Sequence, residues 1–162
     1  MLVSPINAVE AEAAMAGGAD ILDVKNPREG SLGANFPWVI RSVAEVAAGR
    51  VPISATIGDF DFKPGTASLA ALGAAFSGAD YIKVGLLKVR DRDEAGEMLR
   101  PLVRSVKEFD ANKKLVAAAY SDASRVGSIP PMELPVVASE CGADVVMVDT
   151  AIKDGRTTFE FM

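Results

Sequence analysis

Short apolar runs alternate with longer segments of helical character along the whole chain, and three of the runs follow the same tripeptide. Gly-Ala-Asp stands at 18–20, 78–80 and 142–144, and each copy leads into an apolar stretch. The three aspartates are spaced 60 and 64 residues apart. A spacing of this size accommodates two strand–helix units, so the repeat predicts stacked βα units.

The pattern of hydrophobic and polar positions predicts six strands and five helices that alternate along the chain. The strands are expected at 2–6, 21–25, 51–57, 81–86, 114–120 and 145–151. The helices are expected at 7–16, 37–48, 66–76, 93–109 and 131–140. Regular alternation of this kind implies a parallel sheet with right-handed crossovers.

Ionisable side chains recur at fixed positions within the three repeats. The third and fifth residues after each aspartate are Asp23 and Lys25, Lys83 and Gly85, and Met147 and Asp149. Alternate residues of a strand share one face, so these groups lie opposite an apolar face at 22, 24, 82, 84, 146 and 148. The apolar face suits a covering layer of helices, and the charged face indicates a candidate active site.

Two α/β architectures fit this order of elements, an open doubly wound sheet and a TIM-type (β/α) barrel. The inner strands of an open sheet are apolar on both faces because helices cover both. Three strands here carry charge on one face near their C-terminal ends, which a barrel places in its lumen close to the rim. We therefore expect a barrel, as a single domain over 1–162. It is expected to be incomplete in this chain, with about six of the eight strands.

Composition narrows the set of partners. The net charge of −5 argues against nucleic acid or an anionic membrane surface, whereas local lysines leave an anionic small molecule open. The chain has no long apolar span and no signal-like N-terminus, so a cytoplasmic protein is expected. Its single cysteine, Cys141, excludes an intramolecular disulfide. Unpaired edges at the first and sixth strands predict a homo-oligomer.

The chain contains no histidine, which removes the commonest general base, the usual nucleophilic triads and the usual zinc ligands. We expect no metal and no cofactor. A neutral lysine is a nucleophile towards carbonyls and forms Schiff bases. Candidate residues for such imine chemistry on a phosphorylated aldehyde or ketone are Asp23, Lys25, Lys83, Asp149 and Lys153. The alternative is that these residues form structural ion pairs across a barrel interior.

Two further segments are candidates for binding a phosphorylated substrate, and a third segment ends near the same rim. Lys63, Gly65 and Thr66 open a predicted helix whose free amides suit phosphate, although a plain helix start capped by Thr66 is the favoured explanation. Ser31 lies in a glycine-containing loop over the expected rim. Residues 120–122, Tyr-Ser-Asp, end the fifth strand and reach the same rim or serve only as ordinary strand-end polarity.

Long motifs then connect the chain to a known family. The run Asp-Val-Lys-Asn-Pro at 23–27, followed by Gly-Ser-Leu-Gly-Ala-Asn at 30–35, is long enough to be specific. Further matching segments stand at 2–5, 17–22, 63–66, 78–85 and 149–155. With these motifs, which span essentially the whole chain, the sequence resembles the (5-formylfuran-3-yl)methyl phosphate synthase family.

The resemblance implies a TIM-type barrel that joins two molecules of glyceraldehyde 3-phosphate into a phosphorylated furan aldehyde. Phosphate and water are lost, as in a carbon–oxygen lyase, and the product serves methanofuran-type cofactor biosynthesis in one-carbon metabolism. By position, Lys25 would form the Schiff base and Lys83 would be the principal proton acceptor. Asp149 and Lys153 would assist dehydration and elimination.

Two alternatives to this function stay open at the level of sequence. A class I aldolase acting on another sugar phosphate would use the same lysines. Members of the family also continue for about two more βα units, so a truncated, non-catalytic subunit that only binds or assembles is the other alternative.

Overall fold

The computed structural model describes residues 1–161 and contains one sheet of six parallel strands. The strands are β1 (Leu2–Val3), β2 (Ile21–Val24), β3 (Ile53–Phe60), β4 (Tyr81–Leu86), β5 (Lys114–Tyr120) and β6 (Val145–Asp149). Each strand pairs with its successor in the chain. The sheet curls into an α/β barrel, as predicted. The barrel is incomplete because β1 and β6 do not pair with each other within residues 1–161. Association of copies through these edges stays a prediction.

Within residues 1–161, six α-helices and three short 3₁₀ turns accompany the strands. The helices are α1 (Ala8–Ala16), α2 (Pro37–Ala47), α3 (Pro64–Phe76), α4 (Arg92–Phe109), α5 (Ala123–Val126) and α6 (Leu134–Cys141). The turns are Pro27–Glu29, Pro131–Glu133 and Thr158–Glu160. The five predicted helices are confirmed, and the four-residue α5 was not predicted. Within residues 1–161, none of the helices combines the length and the apolar character that crossing a bilayer requires.

Several boundaries differ from the prediction; β1, for example, ends at Val3 rather than at residue 6. Two of the differences have local reasons. α3 begins at Pro64, whose ring suits the first helical turn, and Lys63 precedes it. The interpretation of Thr66 as the helix cap is therefore wrong. β3 continues three residues past the predicted end because an irregularity in its pairing with β4 lets the strand extend to Phe60.

Each Gly-Ala-Asp repeat ends one helix and begins the next strand. Its glycine has a positive φ of 86°, 107° or 77° in the three copies, a conformation that other residues rarely adopt. The amide of the following alanine donates to the carbonyl five residues earlier, at 3.0, 3.2 and 2.9 Å respectively. This is the Schellman arrangement, which satisfies free carbonyls at the end of a helix.

The aspartate of each repeat fixes the start of the preceding strand. Asp80 accepts a hydrogen bond from the Ile53 amide at 2.9 Å, and Asp144 accepts one from the Leu115 amide at 2.8 Å. Asp20 accepts one from the N-terminal ammonium, just before β1. These carboxylates lie at the N-terminal end of the sheet, so their role is structural.

The outer face of the sheet forms the core with the helices. Leu22, Val24, Ile82 and Val84 are fully buried there, as the alternation predicted. On β6 the same face is less covered, since Val146 is 41% exposed. The inner face is therefore the surface on which the polar residues of β2 and β4 meet.

Candidate active site

The ionisable residues of the repeats meet on the inner face of the sheet. Lys83 Nζ lies 2.9 Å from Asp23 Oδ1, although β3 separates their two strands. Tilted barrel strands bring side chains of alternate strands into one layer, which explains this contact. Asp23 and Lys83, each three residues after the aspartate of its repeat, thus form a pair. Met147, at the same position in the third repeat, lines a cavity together with Lys83.

The Lys83–Asp23 pair is almost completely removed from solvent. The side chains are 6% and 3% exposed, and the Ser4 hydroxyl also lies 3.4 Å from the second carboxylate oxygen of Asp23. Burial of two charges is costly, and their mutual attraction offsets that cost only while both are present. An ion pair across the barrel interior, as raised from the sequence, is thus present between these two residues, and a catalytic role for them stays a prediction.

Lys25 lies on the same side of the sheet but has different surroundings. It directly follows β2, two residues beyond Asp23, so strand alternation places it on the inner face. Lys25 is partly exposed to solvent. Within residues 1–161 its ammonium has no hydrogen bond and no ion pair. Its backbone carbonyl accepts a hydrogen bond from the Asn35 side-chain amide at 3.3 Å.

Asp149 and Lys153 form a second polar cluster at the C-terminal end of β6. Lys153 Nζ lies 2.6 Å from Asp149 Oδ1, which also accepts the Thr150 amide at 2.8 Å. The Ser31 hydroxyl donates to Asp149 Oδ2 at 3.0 Å. Burial alone would raise the pKa of Asp149, but the Lys153, Thr150 and Ser31 contacts together hold that pKa below its usual range.

Buried Asp122 holds the loop that carries Lys153. Its two carboxylate oxygens accept the amides of Ala151 at 2.7 Å and Ile152 at 3.0 Å. Its side chain is fully buried, and Arg125 lies 3.7 Å away as a partner of opposite charge. Asp122 therefore shapes the 150–153 loop at the rim of the barrel, the end of the sheet at which the strands finish.

Sequence reasoning missed Asp59, which lies close to the Asp149 cluster. Its carboxylate accepts the Leu32 amide at 3.0 Å and makes a second hydrogen bond with the Tyr120 hydroxyl. Burial, and then the charge of Asp59, raises the pKa of Tyr120 well above its usual range, so the phenol stays protonated as a donor. A glycine inside a strand, Gly58, was the available signal, because such glycines often mark a bulge.

The fifth position of the second repeat is glycine because a side chain there has no room. A Cβ on Gly85 would lie 2.1 Å from the Tyr120 hydroxyl oxygen and 2.7 Å from an Asp59 oxygen. Gly85 is also the register partner of Asp59. The second repeat therefore has glycine where the other two have Lys25 and Asp149, and this glycine leaves room for the Asp59–Tyr120 pair.

Ser31 and the other three predicted phosphate-binding residues have different partners in the structure. Lys63 is exposed and pairs with Asp61 at 2.9 Å, and the α3 start, with Gly65 and Thr66, has no side-chain cap. Since α3 follows β3, its N-terminus lies at the rim end of the sheet. Substrate or phosphate binding at Lys63, Gly65, Thr66 and Ser31 stays a prediction, and Ser31 also contacts Asp149.

A mostly apolar cavity of about 310 Å³ lies on the inner face towards the N-terminal end of the sheet. It is lined by Leu2, Ile21, Ser54, Tyr81, Lys83, Val116, Val145 and Met147. Among residues 1–161, no three Asp, Glu or Cys side chains come together as a metal-binding group. The polar chemistry on offer in this part of the chain is that of amines, carboxylates and hydroxyls.

Solved structures with the same fold support the barrel architecture. The chain superposes on 2,3-dimethylmalate lyase with a TM-score of 0.64 at 17% identity, over 92% of this chain and 58% of that one. It superposes on oxaloacetate acetylhydrolase with a TM-score of 0.67 at 18% identity, over 90% and 56% of the two chains. At this identity the likeness shows the fold alone.

Sequence relatives are much closer. A protein of Methanosarcina acetivorans named (5-formylfuran-3-yl)methyl phosphate synthase is 66% identical over 162 residues, which is 100% of this chain and 69% of the relative. Its namesake in Methanocaldococcus jannaschii is 58% identical over 99% of this chain and 68% of its own length. The family model described as 4-HFC-P synthase matches residues 1–162. The chain, whose motifs already resembled these synthases, therefore belongs to this enzyme family.

Proposed function

We propose that this chain provides the active site of a (5-formylfuran-3-yl)methyl phosphate synthase that works through an imine at Lys25. The main observation behind the proposal is that the lysines of the site differ in whether a carboxylate pairs with their ammonium. Lys83 and Lys153 each hold a carboxylate, whereas Lys25 holds none within residues 1–161. Imine formation needs a neutral amine, and a neighbouring carboxylate would favour the charged form.

The proposed substrates are two molecules of glyceraldehyde 3-phosphate. The Lys25 amine adds to a substrate carbonyl and expels water, and the imine makes the neighbouring C–H acidic. Loss of that proton gives an enamine, whose carbon attacks the carbonyl of the second molecule. Overall, two C₃H₇O₆P give C₆H₇O₆P with release of one phosphate and two waters, so the atoms balance.

We assign the proton transfer at carbon to Lys83. Its ammonium and the Asp23 carboxylate are 2.9 Å apart in a buried layer, so a proton can pass between them without help from solvent. A buried amine with a single carboxylate partner is a suitable acid or base near a reacting carbon, because its proton has few other acceptors. Lys83 lies two strands from Lys25 along the sheet and faces the same lumen.

We assign the elimination steps to Asp149 and Lys153, in keeping with a carbon–oxygen lyase. Asp149 is ionised at neutral pH, and its carboxylate is the proposed acceptor of a proton from carbon or from a hydroxyl. Lys153, 56% exposed at its side chain, offers a positive charge to an oxygen of a departing phosphate. Removal of phosphate and of water then completes the furan ring.

Identification of the product tests the proposal. The chain is incubated with glyceraldehyde 3-phosphate, and released phosphate and the mass of the organic product are measured for the unmodified chain, Lys25→Ala and Lys114→Ala. Lys114 is a matched control, since it lies at the opposite end of the sheet and pairs with Asp144 at 3.3 Å. We expect the furan aldehyde from the unmodified chain and Lys114→Ala but not from Lys25→Ala. A product with the mass of a simple aldol adduct would indicate a class I aldolase, and no product from a folded chain would contradict catalysis by this chain.

A further inference from the structure

We infer that Asp59 is a positioning residue for the proposed reaction, which anchors the β2–α2 loop so that Ser31 reaches Asp149. The β2–α2 loop is defined as residues 25–36. The inference rests on the proposed function, and it concerns a residue outside the set of lysines and aspartates assigned to the chemistry.

A bulge in β3 directs Asp59 towards the lumen. Thr56 pairs with Lys83 and Asp59 pairs with Gly85, so three steps along β3 match two along β4. The extra residue reverses the alternation of inward and outward side chains. Gly58, with a φ of 127°, provides the backbone conformation that the bulge needs. In a regular strand Asp59 would instead point outwards, towards the helices.

Two glycines on different elements make room for this single carboxylate. A Cβ on Gly85 of β4 would lie 2.7 Å from Asp59 Oδ1, and one on Gly30 of the β2–α2 loop would lie 2.3 Å from Oδ2. Both distances are shorter than any ordinary contact with a Cβ. The bulge and the two glycines thus converge on the placement of Asp59.

Asp59 connects the β2–α2 loop to the sheet on both sides. One oxygen accepts the Leu32 amide at 3.0 Å, and the other is bonded to Tyr120, the register partner of Asp149. The neighbour of Leu32, Ser31, donates its hydroxyl to Asp149 Oδ2 at 3.0 Å and lies 2.9 Å from the Thr150 carbonyl. Within residues 1–161 no cation pairs with Asp59. It therefore acts as a double acceptor that holds the loop in register.

A double-mutant cycle tests whether Asp59 acts through Ser31. We expect Ser31→Ala to lower kcat about tenfold and Asp59→Ala about 10- to 30-fold, with KM changed less than about threefold. The double variant should resemble Asp59→Ala alone, because the second change removes a contact that the first has already released. Multiplication of the two losses, or an unchanged kcat in Asp59→Ala, would overturn the inference.

Asp59→Asn distinguishes positioning from direct use of the charge. An asparagine oxygen can accept the Leu32 amide while its NH₂ donates to the Tyr120 oxygen, so this variant should recover most of the kcat that Asp59→Ala loses. An Asp59→Asn kcat as low as that of Asp59→Ala would overturn a positioning role. Asp93→Ala, the loss of an exposed carboxylate in the first turn of α4, serves as the control. If Asp59→Ala does not melt cooperatively, Asp59→Ser replaces it in the cycle.

Hydrogen exchange gives a readout that does not depend on turnover. In Asp59→Ala, peptides covering residues 26–36 should exchange several-fold faster than in the unmodified chain and in Asp93→Ala. If the unmodified chain releases no furan product, the proposed function fails while this measurement still decides the positioning role. Accelerated exchange in 26–36 supports the anchoring by Asp59, and unchanged protection there overturns it.

Discussion

Lys83 and Asp23 form an ion pair 2.9 Å long across an intervening strand, and both side chains are buried on the inner face of the sheet. Because of this contact, the two lysines of the lumen differ in whether their ammonium has a carboxylate partner. Lys83 is held by a carboxylate, whereas Lys25, on the same side of the sheet, has no partner within residues 1–161. The assignment of proton transfer to one and of imine formation to the other rests on this difference.

Removal of one member of this pair should destabilise the fold strongly. Asp23→Ala leaves the Lys83 ammonium buried without its partner, and we expect a loss of about 3–5 kcal/mol in the free energy of unfolding. The double replacement Asp23→Leu with Lys83→Met should recover most of that loss, since an apolar pair needs no charge compensation. Urea unfolding measures both. A loss below about 1 kcal/mol for Asp23→Ala, within the range of exposed pairs, would contradict a buried, coupled pair.

The lowered pKa of Asp149 predicts a dependence of stability on acid. Because its pKa is lower in the folded state than in the unfolded chain, Asp149 adds stability above the unfolded value of about 3.9. That contribution should disappear as the pH falls through the lower folded pKa. Urea midpoints measured from about pH 5 to pH 2 should therefore fall less steeply in Asp149→Asn than in the unmodified chain. Parallel curves would show that Asp149 is not coupled to its neighbours.

Ser31→Ala and Lys153→Ala should each weaken that same dependence, since each removes a contact that lowers the Asp149 pKa.

The space above Gly85 predicts an overpacking penalty. Gly85→Ala would place a methyl group 2.1 Å from the Tyr120 hydroxyl oxygen, so we expect a loss of about 1–3 kcal/mol together with a fall in activity. Gly73→Ala is the matched control, because a Cβ at Gly73 in α3 meets nothing within 4 Å. Helix propensity should make this control neutral or more stable by up to about 1 kcal/mol. Equal melting temperatures for the two variants would refute the crowding.

The structural role of the repeat aspartates predicts a graded effect on stability. Asp80→Ala leaves the Ile53 amide without its acceptor and also releases Lys113, which lies 3.0 Å from Asp80. We expect a loss of about 1–3 kcal/mol. Asp20→Ala should cost less than about 1 kcal/mol, because its ion pair with the N-terminus is exposed. Thermal melts compare the two, and a larger effect at Asp20 would contradict the assignment.

The Gly-Ala-Asp repeat made it possible to predict which side chains face the inside of the barrel and which face the helices. Strand alternation alone predicted that Asp23 and Lys83 lie on the inner face. Because they occupy the same position in their repeats, they lie in one layer of the barrel. The covered outer face at Leu22 and Ile82 follows from the same alternation. These features depend on periodicity, which a sequence displays directly.

The contribution of Asp59 could not be predicted, because one extra residue in β3 reverses the alternation from which orientation is inferred. The contact of Ser31 with Asp149 joins residues 118 positions apart and depends on how the β2–α2 loop folds over the rim. A loop without periodicity carries no comparable signal. The sequence predicted that Ser31 and Asp149 belong to the site but not that they touch.

Borohydride trapping shows directly whether Lys25 forms an imine with the substrate. The chain is incubated with glyceraldehyde 3-phosphate and sodium borohydride, digested, and analysed by mass spectrometry for the modified lysine. We expect a reduced adduct confined to the peptide that contains Lys25, retained in Lys114→Ala and absent from Lys25→Ala. Furan product formed with no trapped adduct, or an adduct placed on Lys83 or Lys153 instead, would contradict it.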